Sequence, residues 1–226
     1  MKILALDTSS SACSIALSID HKFFVRHEIA PMQQAKIILP LIKDLLEAAN
    51  TTISQLDAIA FGRGPGSFTG VRIAVSAAQG LAYAANKPLI SISSLAGMAQ
   101  GAYQDLGWTK LIAAIDARMG EIYWGAYEIQ ENGLVKLAGK EQISRPEEII
   151  LPDAMYCGVG NAWEVYGSQV PFKPVLKDAN CLPLASAILL LAEDKYKQGD
   201  TILPEEAVPV YLRDNVAKKT VTKYSV

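Results

Sequence analysis

Two aspartates, Asp7 and Asp116, each close a short apolar run and are each followed by a polar turn. Carboxylates placed this way can hold Mg²⁺ and orient a phosphate. A third stretch could complete such a site. Gly62–Gly70, GRGPGSFTG, carries four glycines and a proline in nine residues and leads from the apolar run Ala58–Phe61 into a segment of helical spacing. Glycine permits positive φ angles and close backbone approach. A loop between a strand and a helix start can aim backbone N–H groups at an anion, or it can be a tight turn that launches a packed helix. The weak candidates for holding a nucleotide are therefore Asp7, Thr8, Gly64, Gly66 and Asp116.

The accompanying residues argue against phosphoryl transfer. Phosphate turns need small residues so that backbone N–H groups can reach the ligand, and Asp7 is followed by TSSSA but Asp116 by ARMG. No glycine pair has the GxxxxGK[ST] spacing before a lysine, and in Gly62-x-Gly64 the third glycine of GxGxxG is replaced by Ser67. The two histidines, His21 and His27, form neither HExxH nor HxxxH, and GxSxG is absent. The expectation is no catalytic residue, no metal and no cofactor. Asp116, Arg118 and Glu121 make a charged turn that could bind something, with a salt-bridged hairpin slightly favoured.

Composition narrows the classes further. Half of the 226 residues are hydrophobic and 19% are charged, as in ordinary globular proteins, and the formal charge of −2 leaves no footprint for a dedicated nucleic-acid binder. Cys13, Cys157 and Cys181 are too few and too scattered for a disulfide framework or zinc site and read as reduced thiols. Asp7 interrupts the first apolar run too early for a signal-peptide core, and the longest apolar stretch, Leu184–Ala192, is about half a membrane span. A cytoplasmic protein is expected.

The elements that would position these residues follow from periodicity. Ile3–Leu6, Cys13–Ile19 and Lys22–Ile29 read as strands of an antiparallel meander; Gln33–Asn50 switches to helical spacing around Pro40. Asp57–Phe61, the glycine loop, a second helix and Leu89–Ser93 continue the order β-β-β-α-β-α-β, the ribonuclease-H-like arrangement. Lys110–Ile129 repeats the shape of Lys2–Ile19, a strand ending in Asp, a turn and an alternating strand, which suggests two related halves. The expected fold class is α/β with two ribonuclease-H-like subdomains, mixed sheets and helices on their faces. The halves are 1–107 and 108–226, with a helix near 182–198 that could pack back on the first and Pro183 in its first turn. Beyond it runs a basic tail, Arg213, Lys218, Lys219 and Lys223 against Asp214, expected to be solvated.

Two helices carry more apolar surface than one sheet needs. Ile38, Leu39, Leu41, Ile42 and Leu45 form a wide stripe on Gln33–Asn50, and Val71, Ala74, Val75, Ala78 and Leu81 line the small-residue helix after the glycine loop. Surplus apolar surface signals a partner; the alternative is a helix buried on two sides within its own monomer. These ten residues are the candidate interface.

The motifs GRGPGSFTGVR, ILALDTSS, SSLAGMAQGA, AAIDARMGEIYWGAYE and the late segment Ala207–Arg213 together resemble the bacterial TsaB (YeaZ) family over almost the whole chain. That resemblance implies the actin/sugar-kinase/Hsp70 superfamily fold and a role in forming N6-threonylcarbamoyladenosine at position 37 of tRNAs reading codons that begin with A. It further implies a non-catalytic subunit that stabilises the transferase TsaD, works with the ATPase TsaE, forms homodimers through the same two helices and touches tRNA at most indirectly. Gln34-Ala35 departs from the His-Ser or His-Thr of many members. An actin-like ATPase or kinase is the alternative, and a glycoprotease-like peptidase the disfavoured one.

Overall fold

The structure, a computed structural model, describes residues 1–151 and 155–213. Lys218, Lys219, Lys223 and Asp214 of the basic tail lie outside the described residues. The first half opens with β1 (Lys2–Asp7), β2 (Ala12–Ile19) and β3 (Lys22–Ile29), followed by helix α1 (Gln34–Ala48), β4 (Ala58–Gly62), α2 (Phe68–Ala85), β5 (Leu89–Ile92) and α3 (Ser94–Leu106). Its sheet has the order β3-β2-β1-β4-β5, with β1–β3 antiparallel and β4 and β5 parallel to β1. The second half comprises β6 (Lys110–Arg118), β7 (Glu121–Ile129), β8 (Val135–Leu137), β9 (Gln142–Ser144), β10 (Cys157–Val159), α4 (Ala162–Tyr166), β11 (Lys177–Asp178) and α5 (Ala185–Lys197). It repeats the same plan: β6 and β7 form the antiparallel hairpin, β10 and β11 add in parallel, and β8 and β9 both pair with β7. Each half is a ribonuclease-H-like sheet.

The continuous apolar runs of β1 and β6 are explained by cover on both faces. In β1, Leu4 and Leu6 point into a core shared with α1 and α2, while Ile3 and Ala5 point into another that holds α5. In β6, Leu111 and Ala113 meet α3, and Ile112 and Ala114 meet Trp163 of α4. The last helix of each half therefore crosses to the other: α3 packs on the second sheet and α5 on the first. They touch where Gly97 and Gly101 lie against Ile188 and Ala187. Leu184 occupies the N-cap of α5, so Pro183 stands just before the helix rather than in its first turn.

α1 continues through Pro40, which lies on its exposed side. Its buried residues, Ile38, Leu41, Ile42, Leu45 and Leu46, recur at helical spacing and pack toward β2 and α2. On α2, Ala74, Ala78 and Ala82 are fully buried, and such small side chains let the helix sit close on the sheet. No described helix is long and apolar enough to cross a membrane. Leu45→Ala should cost about 2–5 kcal/mol, a cavity in a closed core. Leu39→Ala, six residues earlier on the exposed side, should stay within about 0.5 kcal/mol. Urea denaturation of the two variants measures the contrast.

Candidate functional site

The structure brings Asp7, Thr8, Gly64 and Gly66 together, but as a packing centre. Asp7 ends β1 and is 1% exposed. Its Oδ1 accepts from the Ser9 backbone N–H and from Ser9 Oγ, both at 2.7 Å, and its Oδ2 accepts from Ser94 Oγ at 2.8 Å. The glycine loop closes over this turn. Ser67 N donates to Ser9 O at 2.8 Å and Thr8 Oγ1 to Gly70 O at 2.6 Å; Gly64 N donates to Ser94 Oγ, and Ser94 N returns a bond to Gly64 O at 2.9 Å. A Cβ at Gly62 would lie 1.8 Å from Asp7 Oδ2, and one at Gly70 would lie 2.0 Å from Thr8 O. The glycines at these two positions serve close approach of the loop to the Asp7 turn, and Gly66 abuts the Ser9 carbonyl. The Ser9 N–H is spent on the carboxylate. Ser67, at the N-cap of α2, accepts from Gly70 N, which is a capping role.

Burial pushes the Asp7 carboxyl up to about 6, against the lowering effect of the Ser9 and Ser94 hydrogen bonds. Asp116, at the equivalent place on β6, is engaged in the same way. Its Oδ1 accepts from Arg118 N at 2.7 Å and Tyr166 OH at 3.1 Å, and its Oδ2 pairs with Arg118 Nη1 at 3.0 Å. Both aspartates thus bond the backbone two residues on, a turn-closing habit of the side chain. Glu121 pairs with Arg213 rather than with its own turn. The Cys13 and Cys181 thiols are pushed up to about 12, chiefly by burial, and so stay protonated at neutral pH. Among the described residues no group of three or more His, Cys, Asp or Glu side chains could hold a metal ion.

The candidate interface divides differently from the expectation. Ile38, Leu41, Ile42, Leu45, Val71, Ala74, Val75 and Ala78 are between 0% and 7% exposed, buried by the chain's own sheet. They are core residues, because one sheet face and the neighbouring helix together cover both sides of the stripe. Leu39, 55% exposed, and the half-buried Leu81, which also packs against that core, differ from them. They line an apolar cleft of about 510 Å³ between α1 and α2, with Leu46, Ala84 and Ala85 among its walls and Lys43 and Glu47 at its polar edge.

Comparison with known proteins agrees with the fold. The family model described as TsaD, tRNA N6-adenosine threonylcarbamoyltransferase, matches residues 25–221. The tRNA threonylcarbamoyladenosine biosynthesis protein TsaB of Escherichia coli (strain K12) is 42% identical, with 97% of each chain covered. TsaB of Haemophilus influenzae is 40% identical over 97% of this chain and 96% of its own. The chain belongs to the TsaB family. The solved structure of YeaZ from Pseudomonas aeruginosa superposes with a TM-score of 0.91 at 45% identity, covering 93% of this chain and 99% of that one. In this TsaB-family chain, sequence reasoning missed Ser94, Tyr166 and Gln34, whose Nε2 donates to Ser10 O. Only Ser94 stood beside a local signal, the Ser-Ser pair at a helix start, and that signal belongs to Ser93, the N-cap of α3.

Asp7→Asn should remove a pH dependence of stability. The folded carboxyl holds its proton up to about pH 6, against an ordinary value of 3.8, so the stability Asp7 contributes is present at low pH and lost as pH rises through 6. The stability difference, variant minus wild type, should grow by on the order of 3 kcal/mol between about pH 4 and 7. Denaturant titrations across that range measure it. Gly62→Ala, in turn, should destabilise by about 2–4 kcal/mol through displacement of the Asp7 carboxylate.

Proposed function

We propose that this chain is a non-catalytic subunit of the cytoplasmic machinery that makes N6-threonylcarbamoyladenosine at position 37 of tRNAs reading codons that begin with A. The observation that carries this reading is the similarity to TsaB along nearly the full length of the chain. The state of the two aspartates supports the non-catalytic part. Each has its oxygens committed to hydrogen bonds within its own half, and the glycine loop is packed onto the first of them. The chain's work is then recognition.

The partner in this reading is TsaD, and the surface offered to it is the outer side of the α1–α2 pair. Leu39 and the cleft walls present apolar area beside Lys43 and Glu47, the apolar centre and charged rim of a specific interface. The same side serves a homodimer when TsaD is absent, so the two assemblies compete for one surface. TsaE joins the complex of the two subunits, and tRNA contacts this chain indirectly. Nucleotide binding by the isolated chain is not part of the proposal.

Leu39→Glu and Ala84→Glu place a charge in the cleft without touching the closed core. Titration calorimetry with purified TsaD should show binding weakened at least tenfold, while the midpoint of thermal unfolding moves by less than about 2 °C. Unchanged affinity in both variants would reject this surface. Leu45→Glu is the contrasting variant: it charges the core and should unfold the chain.

A further inference from the structure

The described chain ends in an arm that crosses from one half to the other. It starts where Ile202 and Leu89 exchange backbone hydrogen bonds of 2.8 and 2.9 Å at the β5 edge of the first sheet. Pro204 O then accepts from Gln79 Nε2 of α2 at 2.8 Å, and Ala207, 4% exposed, enters the core that α2 helps to close. Val210 N donates to Arg63 O in the glycine loop at 2.9 Å. The Tyr211 ring sits 6.1 Å from that of Phe68, and the Arg72 guanidinium lies over Phe68, 5.0 Å from the Tyr211 ring.

Arg213 completes the crossing. Its Nη2 donates to the carbonyls of Ala117 and Arg118, each at 3.2 Å, and to the Glu121 carboxylate, while Nη1 meets Met119 Sδ at 3.3 Å. Arg118, Met119 and Gly120 all have positive φ, which tightens the β6–β7 turn and leaves two successive carbonyls for one guanidinium. Arg213 lies three residue steps beyond Val210, a reach of at most about 11 Å. Over that short span the arm joins the glycine loop of the first half to the β6–β7 turn of the second. An arginine expected in a solvated tail is instead a point of attachment between the halves.

Elsewhere the halves meet through the exchanged helices, α5 on the first sheet and α3 on the second, with α3 on α5 at Gly97, Gly101, Ala187 and Ile188, and through polar contacts that include Ser18 Oγ to Glu193 and Gln100 to Gly133 O. Packed helices slide by small amounts at little cost, so directed polar attachments add to what holds such a seam at one angle. We propose that residues 202–213 form an interlobe strap in which Arg213 is a latch that helps to fix the angle between the two halves. Because Pro204 and Ala207 also seat α2, the strap links that angle to the position of α2. By reciprocity, a molecule that shifts α2 changes the hold on the β6–β7 turn, and loosening the turn changes α2. Arg213 acts as a positioning residue.

The test uses the full chain and amide hydrogen exchange followed residue by residue by NMR, with azide-encoded spin labels at Lys43 on α1 and Lys136 on β8 for the distance between halves. In Arg213→Ala, exchange at Val210, Ile202 and Leu89 should rise at least tenfold and the label distance should broaden, while the amides of β1 and α1 keep their protection. Arg213→Lys, which keeps the charge but loses the fork, should fall between. Faster exchange confined to 211–213 and 117–121, with the label distance unchanged, would overturn the strap. If Arg213→Ala does not fold, Glu121→Ala decides: it removes the ion pair and spares the carbonyl contacts. A rise of threefold or more at Val210 supports the latch, and no rise overturns it.

Discussion

The buried carboxylate of Asp7 is the constraint around which the first half is arranged. A charge out of water needs donors, and three come from two side chains, Ser9 and Ser94, and one backbone N–H. Satisfying them pulls the β1–β2 turn, the glycine loop and the start of α3 into one place. No Cβ fits between the loop and the turn at Gly62 or Gly70. Burial still raises the carboxyl to about 6, so the hydrogen bonds offset only part of the desolvation.

The second half repeats the device with different residues. Asp116 closes its own turn as Asp7 does, but Tyr166 of α4 and Arg118 supply the remaining donors, and Asn161 Oδ1 accepts from its backbone N–H. Both turns are bonded to side chains of their own half, serines in the first and a tyrosine and an arginine in the second. The long arm after α5 then ties the glycine loop of one half to the hairpin of the other. In the proposed function, recognition belongs to the outer side of the α1–α2 pair.

Period and composition carried most of the architecture. The two-faced burial of β1 and β6 follows from unbroken apolar runs, and the repeated strand–Asp–turn–strand pattern reported the second sheet, because a hairpin is a local structure. The candidate site was legible only as a set of residue types. Asp7, Thr8, Gly64 and Gly66 do meet, yet the packing of loop on turn also runs through Ser94, which bonds both Gly64 and Asp7, and no spacing rule points to it. The stripe Ile38–Leu45 reads the same whether a sheet or a partner covers it, since periodicity records burial and not the identity of what buries.

The sequence by itself determined the order of the first seven elements, the related halves, the absence of standard nucleotide and nucleophile motifs and, through motifs spread along the chain, the TsaB family. Those properties are local or compositional. Only the tertiary structure decided that the glycine loop is filled by the Asp7 turn, that eight of ten candidate interface residues belong to the core, and that Arg213 reaches across to Glu121. The reason is physical. Each depends on which distant groups arrive to desolvate or satisfy a side chain, and the linear pattern does not encode that arrival.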